Sequence, residues 1–272
     1  KITILKKKAG YLWFMFRKTL RHRIRAGHRK GHGIHPPFAF RLVSEAVFGG
    51  VQEPRLASLT RSHRHLMRSR ERIMVSSHGA GSAVSRKQER RVGSLVRRSS
   101  VRPRYGRLLY RLADWYRPVR VLELGCGLGI STAYLAMGCR CEVTTVEGSR
   151  EKCRFARNYL TEQGLEHVDI IRRSFRVYLD TLHEPLPGHS MVFLDGDHRF
   201  EATVETGERL LTSPRGGELM LVIDDIHWSP GMEKAWERLR HHPAVDLSLD
   251  LFQVGILVRQ PGVQKNHFRV NF

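Results

Sequence analysis

A chain of 272 residues, 41% of them hydrophobic, can bury a core without disulfide or metal staples and is too long for a single small module. Its formal charge of +21 is uneven: through Arg120 there are 30 Lys and Arg against 5 acids, a net of +25, whereas Val121 onward carries 17 bases against 21 acids, a net of −4. The basic excess suits nucleic acid, anionic lipid, an acidic substrate or simply a solvated surface, and charge alone selects none of them.

The first apolar run, Tyr11 to Phe16, spans six residues between Lys6-Lys7-Lys8 and Arg17-Lys18. A bilayer-spanning helix needs about 20, and no small-residue cleavage site follows as a secretory signal would require. The run is expected to pack on the main domain, with an interfacial membrane helix as the alternative. Up to about residue 100 there is no clear strand–helix alternation, and Gly31-His-Gly33, Pro36-Pro37, Gly49-Gly50 and Gly79-Ala-Gly81 punctuate the chain. Short helices are expected, including Phe38 to Val47 and a stretch from Leu56 to Met74. GHGIHPPF at 31–38 and HGAGS at 78–82 read either as pocket-lining loops or as connectors.

From Tyr105 the pattern becomes regular. A helix at Tyr105 to Tyr116 leads to a strand at Val119 to Leu124, a glycine turn and a helix at Ile130 to Met137. Further strands are expected at Glu142 to Val146, Val168 to Ile171, Ser190 to Leu194 and Leu219 to Ile223. Helices are expected between and after them at Arg150 to Gln163, Phe175 to Leu182, Arg199 to Leu211 and Pro230 to His241. Short apolar runs alternating with helices indicate a parallel sheet covered on both faces. Asp246 to Val258 holds two extended stretches, read as an antiparallel pair at the sheet edge. The fold class is therefore α/β, a Rossmann-like, doubly wound, mostly parallel sheet with an antiparallel C-terminal strand pair over residues 101–272, preceded by a basic helical extension over residues 1–100. Four cysteines, at 126, 139, 141 and 153, show neither CxxC nor Cys/His metal spacing and read as reduced thiols of a cytoplasmic protein.

The chemistry gathers at strand ends. In VLELGCGLGIST a strand runs through Gly125, Gly127 and Gly129 into a helix, so backbone can approach a nucleotide-like ligand at the helix's positive end. Glu147 ends the next strand 22 residues after Gly125, where an acid can bond both ribose hydroxyls. A dinucleotide fingerprint would need glycine where Ile130 stands, and Glu123, just before the glycines, suits a cationic amino-acid end better than a pyrophosphate. Asp195 ends one strand and Asp224 and Asp225 the next. Such neighbouring ends converge on one edge of the sheet, and oxygen ligands gathered there suit magnesium or a similar ion.

ELGCGLGIS at 123–131, TTVEGS at 144–149, FLDGDH at 193–198 and VIDDIHW at 222–228 resemble, in order and spacing, the class I S-adenosylmethionine-dependent methyltransferases. The likeness is to the catechol and caffeoyl-CoA O-methyltransferase-like branch, over roughly Tyr105 to Val258. GHGIHPPFAF also resembles the N-terminal part of some bacterial methyltransferases of this kind. The resemblance implies S-adenosyl-L-methionine as cofactor, with Gly125, Gly129 and Ser131 at its amino-acid end, Glu123 and Gly127 in the same turn, Glu147 on the ribose and Ser174 at the adenine. It further implies a divalent cation, magnesium, on Asp195, Asp224 and Asp225, and a homodimer. His198 stands where the family often places a lysine that removes the acceptor's proton, and it can serve as general base near neutral pH. Asp225 stands where the family has asparagine, which adds negative charge. A methyltransferase using the same pocket without metal stays open, as do structural readings in which Asp197 or His198 caps the following helix and Asp224 or Asp225 accepts turn bonds. Trp228 reads as pocket wall or core, and Ser229-Pro230 as an N-cap with proline at the first helical position.

The leading reading is O-methylation of a small, anionic acceptor, with the N-terminal helices as lid and acceptor pocket. The runner-up is an RNA methyltransferase using the basic N-terminal part. Against it, LDGDH replaces the Asn-Pro-Pro-Tyr type of segment used on adenine amino groups, and no cysteine stands where a cytosine-attacking thiol would. A binding protein that has lost turnover is the third reading, and the intact set of acids argues against it.

Overall fold

The computed structural model describes residues 18, 22, 24, 26–28, 31–50, 54–77, 86–182, 186–212 and 217–272. The run Tyr11 to Phe16 and the HGAGS segment at 78–82 lie outside the described residues. Among the described residues no helix is long and apolar enough to cross a membrane.

Eight strands form one sheet: β3 (Arg120–Leu124), β4 (Glu142–Val146), β5 (Asp169–Ile171), β6 (Ser190–Leu194), β7 (Leu219–Ile223), β8 (Leu247–Asp250), β9 (Gly255–Arg259) and β10 (Asn266–Arg269). Their order is β10-β8-β9-β7-β6-β3-β4-β5. The pairs from β7 through β5 are all parallel, and β9 runs antiparallel to both β7 and β8. β6 and β7 are buried along their whole length, as continuous apolar runs in a sheet covered on both faces should be.

Alternate residues of each strand serve opposite cores. Val121, Met191 and Met220 face a cluster with Leu108, Leu112 and Tyr134, while Leu122, Val192 and Leu221 face one with Trp236 and Leu239. The first cluster also takes in Ile34, Leu42, Val43, Leu56 and Leu59, so these residues from the first part of the chain share the core of the sheet.

The helix Pro37–Arg41 carries proline in its first turn and runs on as a π-helical stretch, Leu42–Val47. Its last carbonyls, Ala46 O and Val47 O, accept from the Arg111 guanidinium at 2.8 and 2.7 Å, and Glu45 accepts from the Trp115 indole at 2.7 Å. GHGIHPPF thus leads into a helix packed on Pro103–Tyr116.

Three expectations are corrected. The helix begun at Pro54 ends at Leu66, and Met74 lies in β1 (Arg72–Ser77), which pairs antiparallel with β2 (Arg86–Arg91) in a separate two-stranded sheet. The chain turns at Ser69, whose hydroxyl accepts from the Glu71 amide at 3.2 Å, and so leaves the helix before Met74. The β8–β9 pair is not the sheet edge, because β10 adds in parallel outside β8. Trp228 is not core, being 48% exposed. Ser229 is an N-cap as expected, accepting from the Met232 amide at 3.1 Å ahead of Pro230.

Candidate functional site

The chain winds from β3 to β5 on one side, then crosses back to place β6 against the other side of β3. This reversal opens a crevice beyond the carboxyl ends of β3 and β6, where open α/β sheets bind ligands.

Gly125 makes the crevice passable. Its φ is 110°, and a Cβ there would lie 2.0 Å from the Asp195 carbonyl oxygen, so only glycine lets the β3 loop cross the end of β6. Its amide bonds Val146 O at 2.9 Å. The helix Ile130–Gly138 then starts at Gly129 with no side-chain cap, leaving its first amides for a ligand.

Glu147 directly follows β4 and is held in place from both sides. The Gly127 amide donates to Oε2 at 3.2 Å and the Ser149 amide to Oε1 at 2.9 Å, with Lys152 Nζ 3.6 Å away. Glu123 is wholly buried beneath, where the hydroxyls of Thr132 and Thr145 donate to it. Burial pushes its carboxyl above the usual range, against the hydroxyls of Ser131, Thr132 and Thr145. Ser131 is itself buried in the first turn of its helix.

A cavity of about 1090 Å³ occupies the crevice. Gly125, Glu147, Ser174, Asp195 and His198 line it, together with Phe175 from the β5 side and Ser94, Leu95, Arg98 and Ser99 from the helix Val92–Ser99. Ser174 is the N-cap of the helix Phe175–Asp180. Gly127, Gly129 and Ser131 belong to the loop and helix beneath and Glu123 to β3, and none of them lines the cavity, nor do Asp224, Asp225 or residues 31–38. Arg90, Arg98, Lys152, Arg176, Arg199 and Arg209 border it against the acids Glu147, Asp195, Asp197 and Glu205 and give the rim a modest basic excess, with Arg199 held by Asp197 at 2.6 Å and Arg209 by Asp180 at 2.6 Å. The contribution of Val92–Ser99 went unnoticed in the sequence, its one signal being a small amphipathic pattern among arginines.

Asp195, Asp224 and Asp225 sit at the adjacent ends of β6 and β7. Burial raises all three carboxyls, with Asp224 adding to Asp195 and Asp225 adding to both. Asp224 is pushed up to about 8. His198 Nε2 lies 3.7 Å from Asp195 Oδ1. No side chain caps the helix Phe200–Leu211, so neither Asp197 nor His198 has that role. Three carboxylates at neighbouring strand ends, Asp224 buried and Asp195 and Asp225 half-buried, have the charge and oxygen chemistry that suit a hard cation. As they stand, however, they do not form a group whose ligand atoms lie within 4.8 Å of one another; among the described residues only His22, His227 and Asp250 do so.

No family model matches the chain, and no curated protein matches it. Solved structures do. The O-methyltransferase TomG from Streptomyces achromogenes, in complex with SAM, is 20% identical with a TM-score of 0.54, covering 78% of this chain and 92% of the other. An O-methyltransferase from Bacillus cereus, in complex with SAH, is 18% identical with a TM-score of 0.51 over 76% and 91%. The SAH-bound Podospora anserina methyltransferase PaMTH1 is 16% identical with a TM-score of 0.54 over 82% and 95%. The chain shares their fold.

Proposed function

We propose that this protein is an S-adenosylmethionine-dependent O-methyltransferase acting on a small, anionic acceptor. The observation that carries the reading is the pairing of Gly125 with Glu147: a loop passable only without a side chain, and an acid fixed by two amides at the neighbouring strand end. That the neighbours sharing the fold are bound to SAM or SAH supports it.

Glu147 would hold the ribose hydroxyls, Gly125 and the uncapped start of Ile130–Gly138 the amino-acid end, and Ser174 the adenine side. Bound there, S-adenosylmethionine supplies a methyl group on a sulfonium, open to in-line attack. His198 faces the cavity beside Asp195 and would take the proton from the acceptor's hydroxyl, since an oxygen attacks best as an anion. Asp195 would orient that imidazole. Asp195, Asp224 and Asp225 would hold a divalent cation only by drawing closer than they now stand, and a cation so held would lower the pKa of a coordinated hydroxyl. The basic rim would draw in and orient an acceptor bearing phosphate or carboxylate.

The test is calorimetric titration with S-adenosylhomocysteine, with and without magnesium, on the wild type and Glu147→Ala. Loss of two charge-assisted hydrogen bonds of roughly 1.5–3 kcal/mol each weakens binding by about 100-fold or more. A wild type that binds neither S-adenosylmethionine nor S-adenosylhomocysteine overturns the proposal.

A further inference from the structure

Outside the crevice, where β8 ends, Asp250 is met by two histidines from distant parts of the chain. His227 Nε2 lies 3.0 and 3.2 Å from the two Asp250 oxygens, and His22 Nδ1 lies 3.6 Å from Oδ1. Asp250 is 4% exposed. The outward nitrogens are engaged: His22 Nε2 lies 3.3 Å from Val270 O, and His227 Nδ1 3.0 Å from Glu233 Oε1.

Val270 O, Glu233 and Asp250 can only accept, so His227 donates from Nδ1 to Glu233 and from Nε2 to Asp250, and His22 donates from Nε2 to Val270 O. A divalent cation bound between Asp250 and the two imidazoles would displace the proton on His227 Nε2 and leave the outward N–H groups anchored. Imidazoles whose far N–H is anchored to a carboxylate or backbone carbonyl while the near nitrogens converge are the arrangement that supports metal ligation. His22 Nδ1, 3.6 Å from Asp250 Oδ1, already stands at the roughly 3.3–3.6 Å spacing of atoms about 2.0–2.2 Å from a tetrahedral ion, while His227 Nε2, at 3.0 and 3.2 Å, would move out by a few tenths of an ångström. The ring of Phe252 closes one side, 5.3 Å from His22 and 5.4 Å from His227. Lys18, 2.7 Å from Glu233 Oε1, and Arg269, 3.6 Å from Asp250 Oδ2, meet the acids from outside.

We propose that His22, His227 and Asp250 bind one divalent transition-metal ion of the zinc class, with water in the fourth position. Two imidazoles and one carboxylate select such an ion over magnesium. The ion clips the chain at residue 22 to the loop that follows β7 and to the last residue of β8, a structural role distinct from the acids of the crevice.

The test uses the chelator-stripped full chain titrated with Co2+ and Zn2+. One equivalent of Co2+ should produce the intense visible bands of a tetrahedral site, which Zn2+ displaces. Because the chain has 15 histidines, variants assign the site. His22→Ala and Asp250→Asn should each weaken binding by at least about 100-fold, and Glu233→Gln, which alters only the outer anchor, by about 10-fold. Asp195→Asn should leave the bands unchanged. Circular dichroism of each stripped variant verifies folding. A folded wild type that gives no tetrahedral band at one equivalent overturns the proposal, as do bands that survive in both His22→Ala and Asp250→Asn.

Discussion

Replacing Gly125 by alanine tests the geometry of the crevice most directly. The added Cβ would sit 2.0 Å from Asp195 O and 2.8 Å from Asp195 C, well inside van der Waals contact, so the β3 loop or the end of β6 must move by more than about 1 Å. The residue must also hold a φ of 110°, which costs a non-glycine residue roughly 1–3 kcal/mol. Overpacking adds about 1–3 kcal/mol. A total near 3 kcal/mol lowers Tm by about 6–12 °C for a chain of this size. Because Asp195 moves with the backbone, affinity for S-adenosylhomocysteine should fall by at least about 10-fold. Gly164→Ala is the control: its φ is 69° but a Cβ there meets nothing within 4 Å, so it carries backbone strain alone. Scanning calorimetry and titration of both variants decide the matter. If Gly125→Ala melts no lower than Gly164→Ala and keeps its affinity, the loop crossing is not what confines this position to glycine.

Three further outcomes are expected. His198→Gln should lower kcat by about 10²- to 10⁴-fold while leaving S-adenosylhomocysteine affinity intact; unchanged turnover would remove His198 as the base. Burial depresses the folded pKa of His63 to about 4 from 6.5, so the unfolded chain takes up this proton first. Stability from this site is complete above pH 6.5 and is lost as pH falls toward 4, by up to about 3 kcal/mol, and melting His63→Gln across that range should show a flatter profile. Trp236, 2% exposed and packed where a Cβ on Gly255 would meet its ring at 2.4 Å, should cost about 3–5 kcal/mol when cut to alanine; a loss under about 1 kcal/mol in urea unfolding would contradict that packing.

Sequence legibility followed burial. Ser190–Leu194 and Leu219–Ile223 were readable to the residue because each is a mainly apolar run bounded by turn formers, and Glu142–Val146, EVTTV, because β-branched residues fill it. β2, RKQERR, and β10, NHFR, are strands of charged and polar residues, with no apolar run or alternation to mark them. Within the site, Gly125 and Glu147 were legible because one β-α-β unit fixes their separation, whereas the wall from Val92–Ser99 depends on packing between distant segments. The meeting of His22, His227 and Asp250 spans more than 200 residues of chain and has no local spacing to betray it.

The outermost strand of the sheet has its own consequence. β10 bonds β8 on one side, and just beyond it Val270 forms a parallel bridge with His28 on the other. A strand flank with unsatisfied amides and carbonyls is a template for pairing with another molecule. His28 covers that flank at Val270 alone, and trimming the chain past His28 should show itself first as concentration-dependent aggregation, before any loss of heat stability.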